Sequence, residues 1–425
     1  MIQTTLKPRS VTPIRYLFSF FVIASLFVSS VQAVEEHQAE QLKFSDSLTL
    51  SSLLDLTMER HPQAVLIAAR SATAEAEEKY ARRWTPDTTS LTAFHMSDSA
   101  LDDTGAYENE VALSFPMWLP GEKKARSKLS DVLAASQTSG KAEFRWLVSG
   151  QLRQQLWQLK RAARQWQLAV EQEQRMGEVM AQVTLFAEAG ELSRADQLAA
   201  MEEYSLLKGE TMLLEAEYMD AIRLYHSFTG QEIIPARLDE ELSEINEIPK
   251  DHPALRHALD QLAESSASTE VIRQGANTRP SLDVFWRGFR GDQRSPTVKA
   301  LGVGFEMPLG RSPRRDPEAA RAYELYAENQ AGLMQLKREL ELQLHESAHY
   351  LHTTREQLEN SDAIMKAATE RHELDKLAFE LGEFSTSEWL RRLSRLKDIE
   401  RSHELLLIQR GAAIAGYNQA VGESL

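Results

Sequence analysis

The amino-acid sequence repeats itself after about 192 residues, and this repeat constrains the fold more than any other feature. Three landmarks return in the same order: Gly-Glu-Leu-Ser at 190–193 and Gly-Glu-Phe-Ser at 382–385, Pro116 and Pro308, and His61-Pro62 and His252-Pro253. The first two pairs lie 192 residues apart (382 − 190 and 308 − 116), and the third lies 191 apart (252 − 61). Solenoid repeats have periods of about 20–50 residues. The repeating unit is therefore a whole module of helices and strands that the chain uses twice.

The first 33 residues are typical of a secretory signal peptide. Lys7, Arg9 and Arg15 precede an almost wholly apolar run at 16–28, and residues 31–33 (Val-Gln-Ala) place small side chains at the cleavage site. A basic start, an apolar run and a small-residue site together direct export. The run is too short to anchor the chain stably across a bilayer, although a single N-terminal membrane anchor is the alternative.

Charge and cysteine content exclude several function classes. The chain contains no cysteine, which excludes disulfides, thiol chemistry and lipid attachment to a cysteine after the cleavage site. The formal net charge is −15, and loss of the three signal-peptide cations makes it −18. An acidic exported chain binds nucleic acid poorly, because the phosphate backbone requires a basic surface. We therefore expect no nucleic-acid partner.

Two segments, 88–115 and 281–307, have the composition and alternation of β-hairpins. Apolar side chains occupy every other position in the second strand of each: Val111, Leu113 and Phe115, then Leu301, Val303, Phe305 and Met307. Adding 192 to 111, 113 and 115 gives 303, 305 and 307, so the alternation keeps its phase between the two halves. This pattern predicts two strands in each half with one apolar face.

Each hairpin is followed by an unusually long helical run. Residues 122–189 contain no proline, and residues 318–381 contain no proline and a single glycine, Gly332. At about 1.5 Å per residue, each helix would be about 100 Å long. Helices of this length occur in coiled-coil tubes and fibres rather than in globular cores. A second apolar-periodic helix follows each Gly-Glu-(Leu/Phe)-Ser sequence, so the pattern predicts two long helical hairpins.

These patterns predict a mainly α fold with a small β part and a linear organisation. The predicted segments are a signal peptide (1–33), repeat 1 (34–230) with its tip near residue 190, a linker (231–250) and repeat 2 (251–425) with its tip near residue 382. The linker contains Pro235, Pro249 and several acids, and we expect a short helix within it.

Four strands with one apolar face cannot bury themselves in a bilayer alone. Open strand edges in hydrocarbon leave backbone groups without hydrogen-bond partners. A closed aqueous barrel needs more than four strands, so several chains must contribute. Trp84, Trp118 and Trp286 are placed as an interfacial girdle would be. The sequence thus predicts an outer-membrane barrel shared between chains. A small soluble sheet that caps a coiled coil is the alternative.

In these features the chain resembles the TolC-like outer-membrane efflux proteins over essentially its whole mature length. The resemblance rests on the repeat, on the order of helix, hairpin, long helix, tip and return helix, and on an acid six positions after each tip glycine. It implies a homotrimer that forms a twelve-stranded barrel in the outer membrane of a Gram-negative bacterium and a periplasmic α-helical tunnel. Residues 287–310 look most like members that export heavy-metal cations, which implies a passive channel with porin-like activity and a role in metal resistance.

The resemblance also implies partners and site residues. The tips would dock a periplasmic adaptor protein, and an inner-membrane efflux pump of the RND type would supply the energy. The implied docking residues are Gly190, Glu191, Leu192 and Ser193 in repeat 1 and Gly382, Glu383, Phe384 and Ser385 in repeat 2. Asp196 and Glu388 would form the periplasmic gate. Several relatives have a second acid nine positions after the tip glycine, where this chain has Ala199 and Arg391, so it departs from a double acidic gate.

Two other function classes stay open at this stage. His345-Glu346-Ser347-Ala348-His349 matches the helical HExxH sequence of zinc peptidases, with Glu370 or Glu373 as a third ligand. The aligned residues of repeat 1, 153–157, contain no ligand, so we expect no metal site, no cofactor and no enzymatic activity. The second class is an exported coiled-coil structural or adhesin protein, and the matched hairpins argue against it.

Overall fold

The computed structural model describes residues 43–275, 279–309, 315–381, 383 and 385–425. The predicted signal peptide lies outside this part of the chain, as do the predicted tip residues Gly382 and Phe384. Over the described residues the chain is mainly helical with a small sheet part, as the sequence predicts. None of the helices in these residues is long and apolar enough to cross a lipid bilayer.

The elements follow one another in the order that the sequence predicts. The helices are α1 (Leu50–Arg60), α2 (Ala64–Ala81), α3 (Glu122–Glu188), α4 (Arg194–Thr229), α5 (Pro253–Gln274), α6 (Arg315–Glu380) and α7 (Thr386–Ala420). The strands are β1 (Lys43–Ser45), β2 (Ser90–Ser97), β3 (Tyr107–Pro116), β4 (Ile233–Pro235), β5 (Ser281–Arg290) and β6 (Val298–Glu306). The break between α1 and α2 falls at His61-Pro62, since proline lacks the amide hydrogen that a continuous helix needs.

α3 and α6 are the two long helices. With 67 and 66 residues, each extends about 100 Å. α4 packs against α3 and α7 against α6, so each pair is a helical hairpin, and α5 packs against both long helices. The largest cluster of buried apolar side chains joins α1, α3 and α4, and includes Leu53, Leu152, Leu156 and Tyr225.

β2, β3, β5 and β6 form one antiparallel sheet in that order, so β2 and β6 are its edges. The register confirms the alternation that the sequence predicts. One face carries Leu91, Ala93, Val111, Leu113, Phe115, Leu282, Val284, Trp286, Leu301, Val303 and Phe305. Because β3 pairs with β5, the hairpins of the two halves join directly into one sheet.

The apolar face of this sheet is largely open. Leu91 is 68% exposed, Leu301 81% and Val303 71%. On the opposite face, Arg287 forms an ion pair with Glu108. Apolar patches of this extent are rare on soluble monomers and mark surfaces that a membrane or another chain covers.

Two tryptophans flank the sheet at the end nearer the helices. The Trp84 ring packs edge-on against Phe115, with centroids 5.9 Å apart, and the Trp118 ring packs against Tyr80 at 5.5 Å. Trp286, the third residue of the predicted girdle, lies instead in the middle of β5, opposite Val111. Trp286 therefore lies on the apolar face at mid-strand. The prediction that it belongs to a girdle at the strand ends is wrong.

Residues 231–250 form an extended crossing rather than the predicted short helix. β4 pairs in parallel with β1, with Ile234 opposite Phe44. Two β-branched isoleucines followed by a proline favour a short strand over a helix. Further along, Glu240 accepts hydrogen bonds of 2.9 and 2.6 Å from the guanidinium of Arg153 on α3, and both side chains are largely buried. The segment is therefore fastened to α3 by a desolvated ion pair.

A partly buried carboxyl group faces an imidazole between α3 and α5. Glu143 Oε2 lies 3.6 Å from His257 Nε2, and His257 Nδ1 lies 3.2 Å from the Ser139 hydroxyl. Burial raises the pKa of Glu143 to about 7, an effect that the positive charge of Arg70 partly offsets. Burial also lowers the pKa of His257. Between the two pKa values, both side chains are uncharged.

We expect Glu143→Gln to stabilise the protein at pH 8 and to leave it nearly unchanged at pH 5. Because the folded-state pKa of Glu143 lies above its usual value of 4.5, stability falls as the pH rises from 4.5 to about 7. Glutamine mimics the protonated carboxyl at every pH and avoids this loss. The side chain is 27% exposed, so solvent screening limits the gain to roughly 1–2 kcal/mol. Unfolding midpoints at both pH values measure the gain.

The exposed Glu178 on the same helix provides the matched control. Glu178→Gln should shift the unfolding midpoint equally at pH 5 and pH 8. If the two variants respond alike to pH, the carboxyl of Glu143 is not held in its protonated form by the fold.

Candidate functional site: the two helical tips

The first tip reverses the chain between α3 and α4 through a glycine C-cap. The Glu191 amide donates to the Phe186 carbonyl at 2.9 Å, and the Gly190 amide donates to the Ala187 carbonyl at 3.1 Å. These are the two hydrogen bonds of a Schellman motif, which requires a left-handed residue after the last helical turn. Gly190 meets this requirement with a φ of +81°, because it has no Cβ to strain the backbone there.

The second tip contains the same main-chain hydrogen bond, 192 residues after its counterpart. The Glu383 amide donates to the Ala378 carbonyl at 2.9 Å. Glu383 and Ser385 are exposed, whereas Gly382 and Phe384 lie outside the described residues. The described parts of both tips therefore end the long helix in the same way.

A serine begins each return helix. Ser193 Oγ accepts from the Asp196 amide at 3.2 Å, and Ser385 Oγ accepts from the Glu388 amide at 3.3 Å. In the first tip the exchange is reciprocal, because the Asp196 carboxylate accepts from the Ser193 amide at 3.3 Å and from its hydroxyl at 2.6 Å. This arrangement is a capping box. The Ser-x-x-acid spacing in the sequence is the signal of such a box, and the gate role implied by the resemblance does not include it.

Asp196 also connects the two helical hairpins. Its Oδ1 accepts from the hydroxyl of Ser387 at the start of α7, at 3.3 Å. The hydrogen bond from the Ser193 side chain is the main cause that holds the pKa of Asp196 below its usual value. The carboxylate is therefore ionised at neutral pH while its hydrogen-bond partners carry no charge.

Glu388 lies among arginines. Its Oε2 is 2.8 Å from the Arg391 guanidinium, and its Oε1 accepts from Arg392 Nε at 3.0 Å. Arg392 also donates to the buried Asp375 of α6 at 2.6 Å. Arg391 and Arg392 thus nearly balance the negative charge of Glu388. The two predicted gate acids therefore differ in electrostatic environment, a difference that their equivalent sequence positions did not predict.

Apolar packing holds the hairpins together behind the tips. Leu192, one of the predicted docking residues, packs on a cluster of Met176, Val183 and Ala200 from α3 and α4. Leu390 of α7 joins the same cluster. This packing supports the first tip from within the helical bundle.

An aromatic stack supports the second tip. The Trp389 ring at the start of α7 stacks on the rings of His372 and Phe379 of α6, with centroid distances of 5.4 and 5.2 Å. Each such aromatic pair contributes about 0.5–1.5 kcal/mol beyond its buried area. The stack fixes α7 against α6 one turn beyond the serine cap.

The outer surface of the tips is apolar and acidic. Leu185 is 66% exposed, and its equivalent Leu377 (377 − 185 = 192) is 55% exposed. Leu381 is 69% exposed, and Glu191 and Glu383 lie beside these leucines on the exposed turns. Exposed leucines with carboxylates at their edge form a surface suited to a partner with apolar and basic side chains.

His345 and His349 of the HExxH match are both exposed on α6. α6 is continuous to Glu380, so Glu370 lies 21 residues (370 − 349) beyond His349, which is about 30 Å along the helix axis. Glu373 lies farther still. Zinc ligands must approach the metal to about 2.2 Å, so neither glutamate can complete this site. No group of three or more potential metal ligands occurs in the part of the chain that the structure describes.

Comparisons with known proteins identify relatives by fold and not by sequence. No protein-family profile matches the chain, and no curated protein matches it. The outer membrane protein VceC from Vibrio cholerae superposes with a TM-score of 0.71 at 12% identity, over 88% of this chain and 96% of VceC. CusC, whose structures concern transmembrane channel formation, gives 0.69 at 12% identity, over 92% and 96% of the two chains.

The open state of the Neisseria gonorrhoeae outer membrane channel MtrE is also similar, with a TM-score of 0.65 at 14% identity over 88% of each chain. At these identities the similarity shows a shared fold. The mainly helical fold with a small sheet part, which the sequence resemblance implied, is thereby confirmed.

We expect Gly190→Ala to destabilise the first tip by about 1–2 kcal/mol, because an L-residue is strained in the left-handed region. A Cβ at Gly190 would meet no atom within 4 Å, so the cost is conformational rather than steric. Amide hydrogen exchange at residues 186–197 should quicken by roughly five- to thirtyfold.

Gly209, inside α4, is the control, because a Cβ there also meets nothing within 4 Å. Gly209→Ala should be neutral or stabilising, since alanine favours a helix interior. Identical exchange at the tip in both variants would show that the left-handed glycine does not determine the turn.

Proposed function

We propose that this chain is the outer-membrane channel of a tripartite efflux system. It would act as a passive conduit from the periplasm to the exterior of a Gram-negative bacterium, and not as an enzyme. One observation carries the proposal: a four-stranded sheet with an open apolar face and two free edges lies at the end of two helical hairpins about 100 Å long. The solved structures that share this fold include the outer membrane protein VceC and the outer membrane channel MtrE.

The strand directions support closure of the sheet between copies. β2 runs away from the helices, β3 returns, β5 runs away and β6 returns. The β6 edge of one copy would therefore lie antiparallel to the β2 edge of the next, and three copies would supply twelve strands. Such a homotrimeric barrel would satisfy the edge hydrogen bonds, place the apolar face towards lipid and line the interior with the opposite face, which carries Arg287, Glu108 and small residues together with Phe94, Phe285 and Phe289.

Exposed apolar side chains on the helices support the same assembly. Leu206 and Met212 of α4 are 64% and 63% exposed, and Leu342 and Leu374 of α6 are 56% and 69% exposed. In a trimer, these side chains would be buried between neighbouring hairpins that together enclose a periplasmic tunnel. An exported structural or adhesin protein would need some other cover for both the helices and the sheet.

The tips would face the periplasm, and their exposed leucines and glutamates would dock a periplasmic adaptor protein. An inner-membrane pump, of the RND type, would complete the system. Gly190, Glu191, Leu192 and Ser193 form the first docking site, and Glu383 and Ser385 with Gly382 and Phe384 form the second. Asp196 and Glu388 would line the periplasmic gate. Heavy-metal cations fit the acidic tips and the sequence of residues 287–310, and are the substrate class that we propose.

Cysteine pairs across the sheet edges test the trimer. The chain has no cysteine of its own, so introduced pairs report single contacts. Ala93→Cys in β2 should be combined in turn with Lys299→Cys, Leu301→Cys or Val303→Cys in β6. Within one chain the two edges are three strand spacings apart, about 14 Å, which is too far for a disulfide.

Oxidation in native membranes should trap a three-chain species at one of these registers. The single variant Ala93→Cys is the control and should remain a monomer on a denaturing gel. A chain that stays monomeric with every pair and is soluble without detergent would contradict the proposed assembly.

Neutralising the gate acids tests the conduction path. Asp196→Asn with Glu388→Gln should reduce the preference for cations over anions in planar-bilayer conductance, because like charges at a constriction favour counter-ions. Most of the change should come from Asp196→Asn, since Arg391 and Arg392 already compensate Glu388. Ser193 remains the N-cap of α4, and the side-chain oxygen of asparagine can still accept from the Ser193 amide, so α4 should keep its start.

The double variant Glu341→Gln with Glu359→Gln removes the same number of charges from exposed positions of α6 far from the tips. It should leave the ion preference of the channel unchanged. If both double variants shift the ion preference equally, Asp196 and Glu388 are ordinary surface charges and do not form a gate.

A further inference from the structure

The charges around the sheet differ strongly between its two ends. The described segments at the end nearer the helices are 82–89, 117–128, 279–280, 307–309 and 315–316, and together they contain eight lysines and arginines and three acids, a net charge of +5. The two loops at the other end, 98–106 and 291–297, contain four aspartates and one arginine, a net charge of −3. This concentration of positive charge occurs in a chain whose overall charge is −15.

Four of the cations near the helices have no acidic partner. Arg83, Lys123, Lys124 and Lys128 are exposed, and among the described residues no carboxylate lies within ion-pair distance of them. Three neighbouring arginines are paired instead: Arg82 with Glu78, Arg126 with Glu77, and Arg279 with Glu122. These pairs engage the carboxylates of Glu77, Glu78 and Glu122. The four cations without an ion pair remain available to an external anion.

Two of the free lysines are placed unfavourably for their own helix. Lys123 and Lys124 follow Glu122 in the first turn of α3. The helix dipole favours acids at this end and disfavours cations. Helix stability therefore does not explain these lysines.

The free cations begin where the apolar face of the sheet ends. Trp84 is 76% exposed and packs on Phe115, the last apolar residue of that face on β3. The Trp118 indole donates to the Arg83 carbonyl at 3.3 Å, which places Arg83 beside this aromatic pair. Lys128 lies about 9 Å along α3 from its first residue. An apolar face, then tryptophan, then cations is the order of groups that a chain presents from the hydrocarbon to the headgroups of a bilayer.

We propose that Arg83, Lys123, Lys124 and Lys128 form a basic collar that binds anionic phospholipid headgroups in the periplasmic leaflet of the outer membrane. The inference rests on the proposed membrane channel and adds a lipid preference to it. Lysines provide point charges for the phosphodiester of a lipid such as phosphatidylglycerol, and Trp84 and Trp118 sit at the depth of the glycerol region. The collar would hold the barrel at a fixed depth and orientation, with its acidic loops at the opposite surface.

Lipid titration of the full-length protein tests the collar. Detergent-solubilised protein is titrated with phosphatidylglycerol or phosphatidylcholine, and bound lipid is counted by native mass spectrometry. The wild type should prefer phosphatidylglycerol, and the preference should shrink as salt rises, because ions screen exposed charges. In the triple variant Lys123→Gln, Lys124→Gln and Lys128→Gln, the preference should fall roughly fivefold for each lysine removed.

The matched control removes three exposed lysines from the helices: Lys208→Gln, Lys337→Gln and Lys366→Gln. It should retain the wild-type preference for phosphatidylglycerol. Equal binding of the two lipids by the wild type would overturn the collar, and so would equal loss in both triple variants. The salt dependence of the wild type gives an answer even if a variant fails to fold.

Conductance separates failure of the collar from failure of the proposed function. Wild-type protein that conducts in planar phosphatidylcholine bilayers but lacks the lipid preference would refute the collar and keep the channel. Protein that neither inserts into bilayers nor conducts would refute both.

Discussion

The unpaired backbone at the two edges of the sheet is the constraint on which the other features depend. β2 and β6 each present amide and carbonyl groups along one side, and the apolar face between them is open. A hydrocarbon environment would not tolerate those groups, and water would not favour that face. In the channel that we propose, the edges pair between identical chains and the apolar face lies against lipid, which removes both problems. The alternating strand directions and the exposed leucines of the long helices are both compatible with that arrangement.

The sequence predicted the local features well because they have short periods. The alternation at Val111, Leu113 and Phe115 predicted a strand face, and the long runs without proline predicted α3 and α6 within a few residues. Features that depend on distant contacts were not predictable in this way. The extended path of residues 231–250 is stabilised by Arg153, 87 positions from Glu240, and no local pattern in 231–250 indicates that partner. Trp286 is a different case: the predicted hairpin and β5 both begin at residue 281, so the central position of Trp286 in the strand follows from the sequence, and only its assignment to the girdle is wrong.

Asp196 has a structural role in addition to the gate role that we propose for it. The sequence singles out Asp196 because it follows Gly190 by six positions, yet its closest contacts are those of a helix cap. The equivalent Glu388 forms ion pairs with two arginines instead. Equivalent positions thus share the main-chain geometry of the turn while their electrostatic surroundings differ. The negative charge of Asp196 has no cationic partner among the described residues, whereas that of Glu388 is almost balanced. A partner that binds through charge would therefore distinguish the two hairpins of a chain.

The pairing of β3 with β5 has a consequence for the order in which the chain folds. Tyr107 lies opposite Arg290, a separation of 183 residues (290 − 107), whereas α3 and α4 meet across a turn of a few residues. Closing a long loop costs more chain entropy than forming local helix contacts, and contacts distant in sequence slow folding. The helical hairpins therefore assemble first, and the sheet with its apolar face assembles late. In the exported channel that we propose, the helical hairpins would form before the strands pair, and the apolar face would assemble close to the membrane that covers it.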